Sequence, residues 1–298
     1  MGNSPLAAFY DALHAAGVAP ASLPELVADG LLHRHRIEDD KPGSLNGWHV
    51  LHLDDPASGA GGSWKAGSSV KWCSKRQSAL TAHEREVLRQ RIEQDRKRAQ
   101  EAMEARHRDA AAKAARIWKD SAPASPDHPY LLKKQIAPGI SRQRGDMLIL
   151  PITGFDGDLR GVQTISPTGE KRFTKGMQKQ GAFIRTDGMP SPDVRLLICE
   201  GWATAQTLAA LSPRAVVLAA LDAGNLQAVA CEARRRFPCV DLVIAADADA
   251  VGLEKAKAAA VASRAKWIWP TFPEGVAGSD FNDMQAWRKS QRQGVASC

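Results

Sequence analysis

Arg195-Leu196-Leu197-Ile198-Cys199-Glu200-Gly201 and Leu242-Val243-Ile244-Ala245-Ala246-Asp247-Ala248-Asp249 decide the fold of this chain. Each is a short apolar run that ends abruptly in carboxylates and gives way to a helix-like stretch. An apolar run without alternation fits a strand buried on both faces. Glu200, Asp247 and Asp249 are therefore predicted at the carboxyl ends of parallel strands. In an open α/β sheet that edge binds ligands, because strand ends and helix N-termini converge there on a crevice. Asp247 and Asp249, two positions apart, project to one side, about 7 Å apart along an extended strand. Three carboxylates meeting at one point repel one another unless a cation lies among them. Hard oxygens with open coordination positions suit Mg²⁺ or Mn²⁺, which complete their shells with water and phosphate oxygens.

Outward from these two runs the strand-helix alternation continues. A helix is predicted over 203–211 and a strand over 215–220, ending at a turn from Asp222 to Asn225, with Asn225 read as the N-cap of the next helix. The strand at 241–246 leads into an Ala- and Lys-rich helix over 251–262, a last strand at 266–269, and an acidic turn from Asp280 to Asp283. Such alternation implies a parallel sheet with right-handed crossovers and flanking helices, which brings the acids from separate strands to one edge.

The Glu-Gly after one strand, the Asp-x-Asp after a later one and the intervening strand with its helix resemble the Toprim domain of primases, topoisomerases and some nucleases. Glu200-Gly201-Trp202-Ala203-Thr204-Ala205 is similar to the Glu-Gly-Tyr-Ala-Thr-Gly signature of primases of conjugative plasmids and satellite phages, with Trp for Tyr and Ala for Gly. Ala220-Leu221-Asp222-Ala223-Gly224-Asn225-Leu226 and Ser279-Asp280-Phe281-Asn282-Asp283 also look like landmarks of that family. The resemblance implies a nucleotidyltransferase that makes short RNA primers on a single-stranded DNA template from nucleoside triphosphates. It implies two metals held by Asp247 and Asp249, Glu200 in a metal or proton-handling role, and Asp280 and Asp283 as further ligands or as groups that orient the metal waters. A Toprim nuclease and a non-catalytic replication accessory protein remain alternatives. A topoisomerase needs a tyrosine nucleophile and large strand-gating domains, and the chain has only Tyr10 and Tyr130. No P-loop occurs, so no fused helicase is expected; a separate replicative helicase or polymerase partner, or an already single-stranded template such as transferred plasmid DNA, would take its place.

The net charge of +7 fits a polyanionic partner. The excess of basic residues lies between positions 80 and 190, just ahead of the acidic site. Metal-bound acids beside a separate basic surface are what handling nucleic acid requires. Cys73, Cys199, Cys231, Cys239 and Cys298 show no paired spacing, which argues against a disulfide framework or a four-cysteine zinc site. With no apolar segment long enough to span a bilayer and no signal pattern, the expectation is a cytoplasmic protein without membrane attachment.

Ahead of the acidic unit the chain divides by composition. Residues 1–79 are expected to form a small α+β module: short helices broken by Pro20 and Pro24, with Leu23, Leu26 and Val27 on one side, then a small sheet from Ile37 to Cys73. Trp64 and Trp72, interleaved with Lys65 and Lys71, can serve as a platform for stacked bases or as the core of the module. His33, His35, His49, His52 and Cys73 lack the paired thiolates of a structural zinc site, so no zinc is expected. Thr81-Ala82-His83-Glu84 is a capping box that opens a long charged helix through 80–120. Over 121–190, hairpin turns separate the apolar runs at 147–152 and 159–165 and the segment Lys171-Arg172-Phe173. The resemblance gives this β-rich basic segment the role of supplying phosphate-binding residues, here Lys171, Arg172, Lys175 and Lys179. Residues 191–290 are the catalytic α/β domain and 291–298 a tail.

Overall fold

The computed structural model describes residues 4–21 and 25–296; Leu23, Pro24 and Cys298 lie outside the described residues. The chain forms two compact units divided between Glu104 and Ala105.

In the first unit, helix α1 (Pro5–Ala15) is capped by Ser4 and covers one face of an antiparallel sheet in the order β1-β2-β3-β4. Its strands are β1 (His33–His35), β2 (Gly47–His52), β3 (Ser58–Ser63) and β4 (Ser68–Cys73). Strand β2 alternates cleanly: His49 and Leu51 are buried, while Trp48, Val50 and His52 are half-exposed on the other face. Phe9 and Leu13 of α1 lie so close to β3 that a Cβ at Gly59 would stand 2.9 Å from Phe9 and one at Gly61 2.5 Å from Leu13. The glycine-rich strand is thus a docking floor for the helix. Helix α2 (Ala82–Lys119) begins at the expected capping box. Thr81 Oγ1 accepts from the Glu84 amide at 3.2 Å, and Glu84 returns the bond from the Thr81 amide at 2.8 Å. The last turns of α2 belong to the second unit, where Ala110 and Ala114 are buried.

The second unit holds two sheets. The first is antiparallel, in the order β5 (Ala122–Pro123), β6 (Arg142–Arg144), β7 (Met147–Thr153), β8 (Leu159–Ile165) and β9 (Lys171–Phe173), with the short helix α3 (Pro129–Lys134) between β5 and β6. The second runs β10-β12-β11-β13-β14, comprising β10 (Ile184–Arg185), β11 (Arg195–Cys199), β12 (Ala215–Ala219), β13 (Leu242–Ala245) and β14 (Lys266–Ile268). All its pairings are parallel except that of β10 with β12. Helices α4 (Trp202–Leu211), α5 (Leu226–Arg236) and α6 (Ala250–Ser263) form the crossovers, and α7 (Phe281–Ala296) follows.

The apolar runs are continuous because both faces of this sheet are covered. Leu197, Cys199, Val217 and Val243 pack with α4 and the β7–β8 hairpin, while Leu196, Ile198, Val216 and Leu242 pack with α5 and α6. Both carboxylate-bearing strands, β11 and β13, are central and adjacent in register, Cys199 beside Ala245. Glu200 and Asp247 therefore emerge at one edge. The helical run extends to Ala296, through positions expected as a tail.

Candidate active site

Glu200 directly follows β11, Asp247 follows β13, and Asp249 caps α6 through Oδ1, which accepts from the Gly252 amide at 2.8 Å. A fourth acid joins them because backbone bonds tie two turns together. Ala248 N–H donates to the Ser279 carbonyl at 2.6 Å, so the turn that starts α7 lies beside Asp247. Asp280 is fixed there at both oxygens: Oδ1 accepts from the Asp283 amide at 2.8 Å and Oδ2 from Thr204 Oγ1 at 3.1 Å. Thr204 belongs to the Glu-Gly-Trp-Ala-Thr stretch, which gives that threonine a concrete structural task.

Charge is concentrated here without compensation from within. Burial and the negative charges of Glu200, Asp280 and Asp249 push the Asp247 carboxyl up to about 7. Burial first, then Asp249, raises Glu200, with Lys171 acting against them. Asp247 Oδ1 is buried with no hydrogen-bond partner. Burial also drives the Cys199 thiol far upward, which makes it an inert neighbour and not a ligand. Among the described residues no group of three or more acids, histidines or cysteines is drawn together so that it could hold a metal ion as it stands. An orphaned buried carboxylate oxygen among repelling acids fits a hard divalent cation. The open arrangement fits one that retains water and takes phosphate oxygens from a ligand.

The opposite wall is basic. Lys171 reaches over Gly201, where an added Cβ would find its ammonium at 4.0 Å. Lys179 pairs with Asp222 and sits 5.6 Å from the Phe173 ring, and its charge, like that of Lys171, opposes the rise at Glu200. Arg172, one step along β9, is paired instead with Glu170 at 2.9 Å. Lys175 is exposed and has no ion pair among the described residues. Asp283 is turned away from the acid cluster, bonding the Ser279 amide at 3.2 Å and Lys134 at 3.4 Å.

Asn225 differs from its expected role. It occupies the N-cap position of α5, but its side chain caps nothing; Asp222 Oδ1 accepts from the Asn225 amide at 3.1 Å. The buried carboxamide instead binds the basic loop. Nδ2 donates to the carbonyls of Lys179, Ala182 and Ala220 at 3.1, 2.8 and 2.9 Å, and Oδ1 accepts from the Gly181 amide at 2.9 Å. Leu221, next to Asp222, holds a positive φ of 77°, a conformation costly for a leucine and characteristic of functional edges.

In the first unit the two candidate tryptophans part company. Trp72 lies on the α1 side, its ring 5.6 Å from Phe9. Trp64 is 49% exposed and pairs with Trp48 at 6.0 Å. Lys65 bonds Asp40 at 2.9 Å, while Lys71 is exposed and unpaired among the described residues. The parity of β4 carries this split, with Val70 and Trp72 on one face and Lys71 on the other. The histidines hydrogen-bond one another and the backbone: His35 Nδ1 lies 3.1 Å from His49 Nδ1, His35 Nε2 2.9 Å from the Val18 carbonyl, and His49 Nε2 3.2 Å from the Val27 amide.

Residues 195–290 match the family described as the Toprim domain. Two curated relatives, both DNA primase TraC of Escherichia coli, are 34% identical to this chain. One alignment covers 90% of this chain and 20% of the relative, the other 84% and 25%, so the chain spans a fifth to a quarter of their length. Among solved structures, the primase fragment of the bacteriophage T7 primase-helicase protein superposes with a TM-score of 0.42 at 12% identity, covering 53% of this chain and 69% of that one. No described helix is long and apolar enough to cross a membrane.

Proposed function

We propose that this chain, a relative of DNA primase TraC with a Toprim domain over residues 195–290, synthesises short RNA primers on single-stranded DNA in the cytoplasm by metal-dependent nucleotidyl transfer. The observation that carries the reading is the meeting of Glu200, Asp247, Asp249 and Asp280 at one sheet edge, opposite Lys171 and Lys179. In the reaction a primer 3′-oxygen bonds to the α-phosphorus of a nucleoside triphosphate. The α–β anhydride bond breaks, pyrophosphate leaves, and the hydroxyl proton passes to water or a carboxylate.

Asp247, with Glu200, Asp249 and Asp280, would hold Mg²⁺ or Mn²⁺, which when bound would supply positive charge favouring ionisation of the hydroxyl and departure of pyrophosphate. Lys171 and Lys179 bind triphosphate oxygens, with Lys179 exchanging Asp222 for phosphate as the nucleotide enters. Thr204 and the α7 cap keep Asp280 in place. Lys175, exposed on the loop, contributes to the surrounding positive field. Arg172 and Asp283, engaged with Glu170 and Lys134, are left outside the reacting set.

The test is incubation with circular single-stranded DNA, Mg²⁺ or Mn²⁺ and labelled nucleoside triphosphates, beside an Asp247→Ala, Asp249→Ala double variant. Short labelled oligomers from the wild type alone support the reading. Shortened DNA without synthesis replaces it with a nuclease. Strand binding by both proteins without reaction replaces it with an accessory role.

A further inference from the structure

The parallel sheet of the second unit ends at β14, and no described strand lies beyond it. Ile268 gives its carbonyl to the Ala246 amide at 2.8 Å, so in the parallel ladder Lys266 and Ile268 bond β13 and the intervening Trp267 turns its N–H and C=O outward. Trp269 follows in the same phase. Edges of this kind are commonly blunted by a bulge, a free charge or a covering element. Here the register with β13 is regular, and Lys266, the one charge on the strand, is engaged by Asp241 at 3.0 Å. Apolar side chains stand on both faces of the edge. Trp269 sets its ring 4.6 Å from that of Trp267, and Ile268, on the opposite face, lines a groove of about 370 Å³ between β14, α4 and α7. Leu208 and Met284 are buried at its floor, while Leu211, Ile268 and Trp269 around it are 49%, 39% and 47% exposed.

The charge around this groove has one sign. Among the described residues no acid lines it, and Arg288, which does, is exposed with no ion-pair or hydrogen-bond partner. Arg292 lies one turn further along the same face of α7 and is likewise exposed and unpaired among the described residues. An unpaired strand edge recognises the backbone of an extended chain, and an apolar groove recognises one of its alternate side chains. Free guanidinium groups recognise carboxylates. A second copy of this chain is disfavoured, because a two-fold contact sets the same basic patch against itself. A nucleic acid brings anions but offers no regular ladder of N–H and C=O groups for a strand edge to extend.

We infer that the open edge of β14 and the groove beside it form a docking site for an extended acidic segment of a partner protein. The segment adds as a strand outside β14, places an apolar side chain against Ile268 and Leu211, and sets carboxylates on Arg288 and Arg292. Its N–H and C=O groups meet those of Trp267 and Trp269. The site does not rest on the primase reading, since none of these groups belongs to the acid cluster or to the basic wall opposite it.

The test uses the full chain and a fluorescein-labelled peptide of alternating valine and aspartate, followed by anisotropy, beside a counterpart with lysine for aspartate and an N-methylated counterpart whose backbone cannot donate. The aspartate peptide is expected to bind, with an affinity that falls as salt rises, and to slow amide exchange over residues 266–270. Arg288→Glu is expected to weaken that binding about fivefold to tenfold and to strengthen binding of the lysine peptide. Leu211→Asp is expected to weaken it about tenfold by denying the apolar side chain its groove. Should Leu211→Asp fail to fold, the exposed Arg288→Glu still reads the site. No binding of the aspartate peptide overturns the inference, as does equal affinity for the lysine peptide, undiminished affinity for the N-methylated one, or unchanged exchange at the edge. Aspartate-peptide binding that neither variant weakens overturns it too. A wild-type dimer in sedimentation that Leu211→Asp dissolves gives the edge to a second copy. Binding of oligodeoxythymidylate that Arg288→Glu abolishes, without peptide binding, gives it to a nucleic acid. Either result removes the acidic partner.

Discussion

Replacing Asn225 by alanine removes the clamp that holds the basic loop against the parallel sheet. The carboxamide is 5% exposed and faces three carbonyls and one amide, those of Lys179, Ala182, Ala220 and Gly181. An amide nitrogen has two hydrogens, so the three carbonyls share two strong bonds and the side chain makes about three in all. Each is worth about 1 kcal/mol net, and more where the abandoned backbone group stays buried. Asn225→Ala should therefore cost roughly 3–5 kcal/mol. For a unit of this size, melting falls about 2–4 °C per kcal/mol, so a drop on the order of 10 °C is expected in a thermal melt. Asn225→Asp is the sharper test. It keeps the volume and the bond from Gly181, yet turns two donors into an acceptor facing carbonyls, so at neutral pH it should be less stable than the alanine variant. Amide exchange should quicken over residues 175–182, and the KM for nucleoside triphosphate should rise more than kcat falls, because Lys179 loses its anchor. An aspartate variant as stable as the wild type, or an alanine variant with unchanged exchange in the loop, would refute the clamp.

Asp280→Asn and Asp283→Asn should separate: the first is expected to reduce primer synthesis a hundredfold or more, whereas the second, whose partner Lys134 is partly exposed, should cost stability about 0–1 kcal/mol and leave turnover near wild type; equal losses would contradict the assignment of Asp280 alone. Lys179→Met should raise the triphosphate KM about tenfold and Arg172→Met should not, read from steady-state kinetics on a homopolymer template. Acid should weaken the first unit. His49 is buried and held neutral, its pKa lowered from 6.5 to about 4 by burial first and then by the charges of His35 and His33, with Asp29 opposing. A histidine whose folded pKa is depressed contributes no penalty above 6.5; as pH falls through 6.5 toward 4 the unfolded chain takes up the proton first, and stability is lost by up to roughly 3 kcal/mol. Melts between pH 7 and 4.5 should show that fall in the wild type and a flatter profile in His49→Ala; a flat wild-type profile would remove the account of a His49 held neutral by burial.

What was legible in the sequence follows from which physical signals are local. Strands β11 and β13 could be read because burial on both faces leaves an unbroken apolar run, and a carboxylate ends such a run only at a solvent edge. The capping box at Thr81 was legible because both of its bonds span three residues. The N-cap position of Asn225 is legible because it is local, whereas the tertiary task of its carboxamide is not, because every partner except Ala220 lies more than forty positions away. Asp280 and Asp283 look equivalent in the turn; the Ala248 to Ser279 bond, which ties the turn after β13 to the turn that starts α7, together with the Thr204 hydroxyl, sets Asp280 beside the acids, while Asp283 pairs with Lys134.

The tryptophans show a third case, in which the signal was present and unused. Val70, Lys71 and Trp72 alternate, and alternation places Trp72 opposite Lys71, with the apolar side toward the helix. The same rule applied to β2 puts Trp48 opposite His49 and Leu51, on the face that Trp64 shares. Parity, not proximity in sequence, decides which aromatic rings can meet a ligand. Proximity joined Trp64 to Trp72; parity joins Trp48 to Lys71 and leaves Trp72 to Phe9.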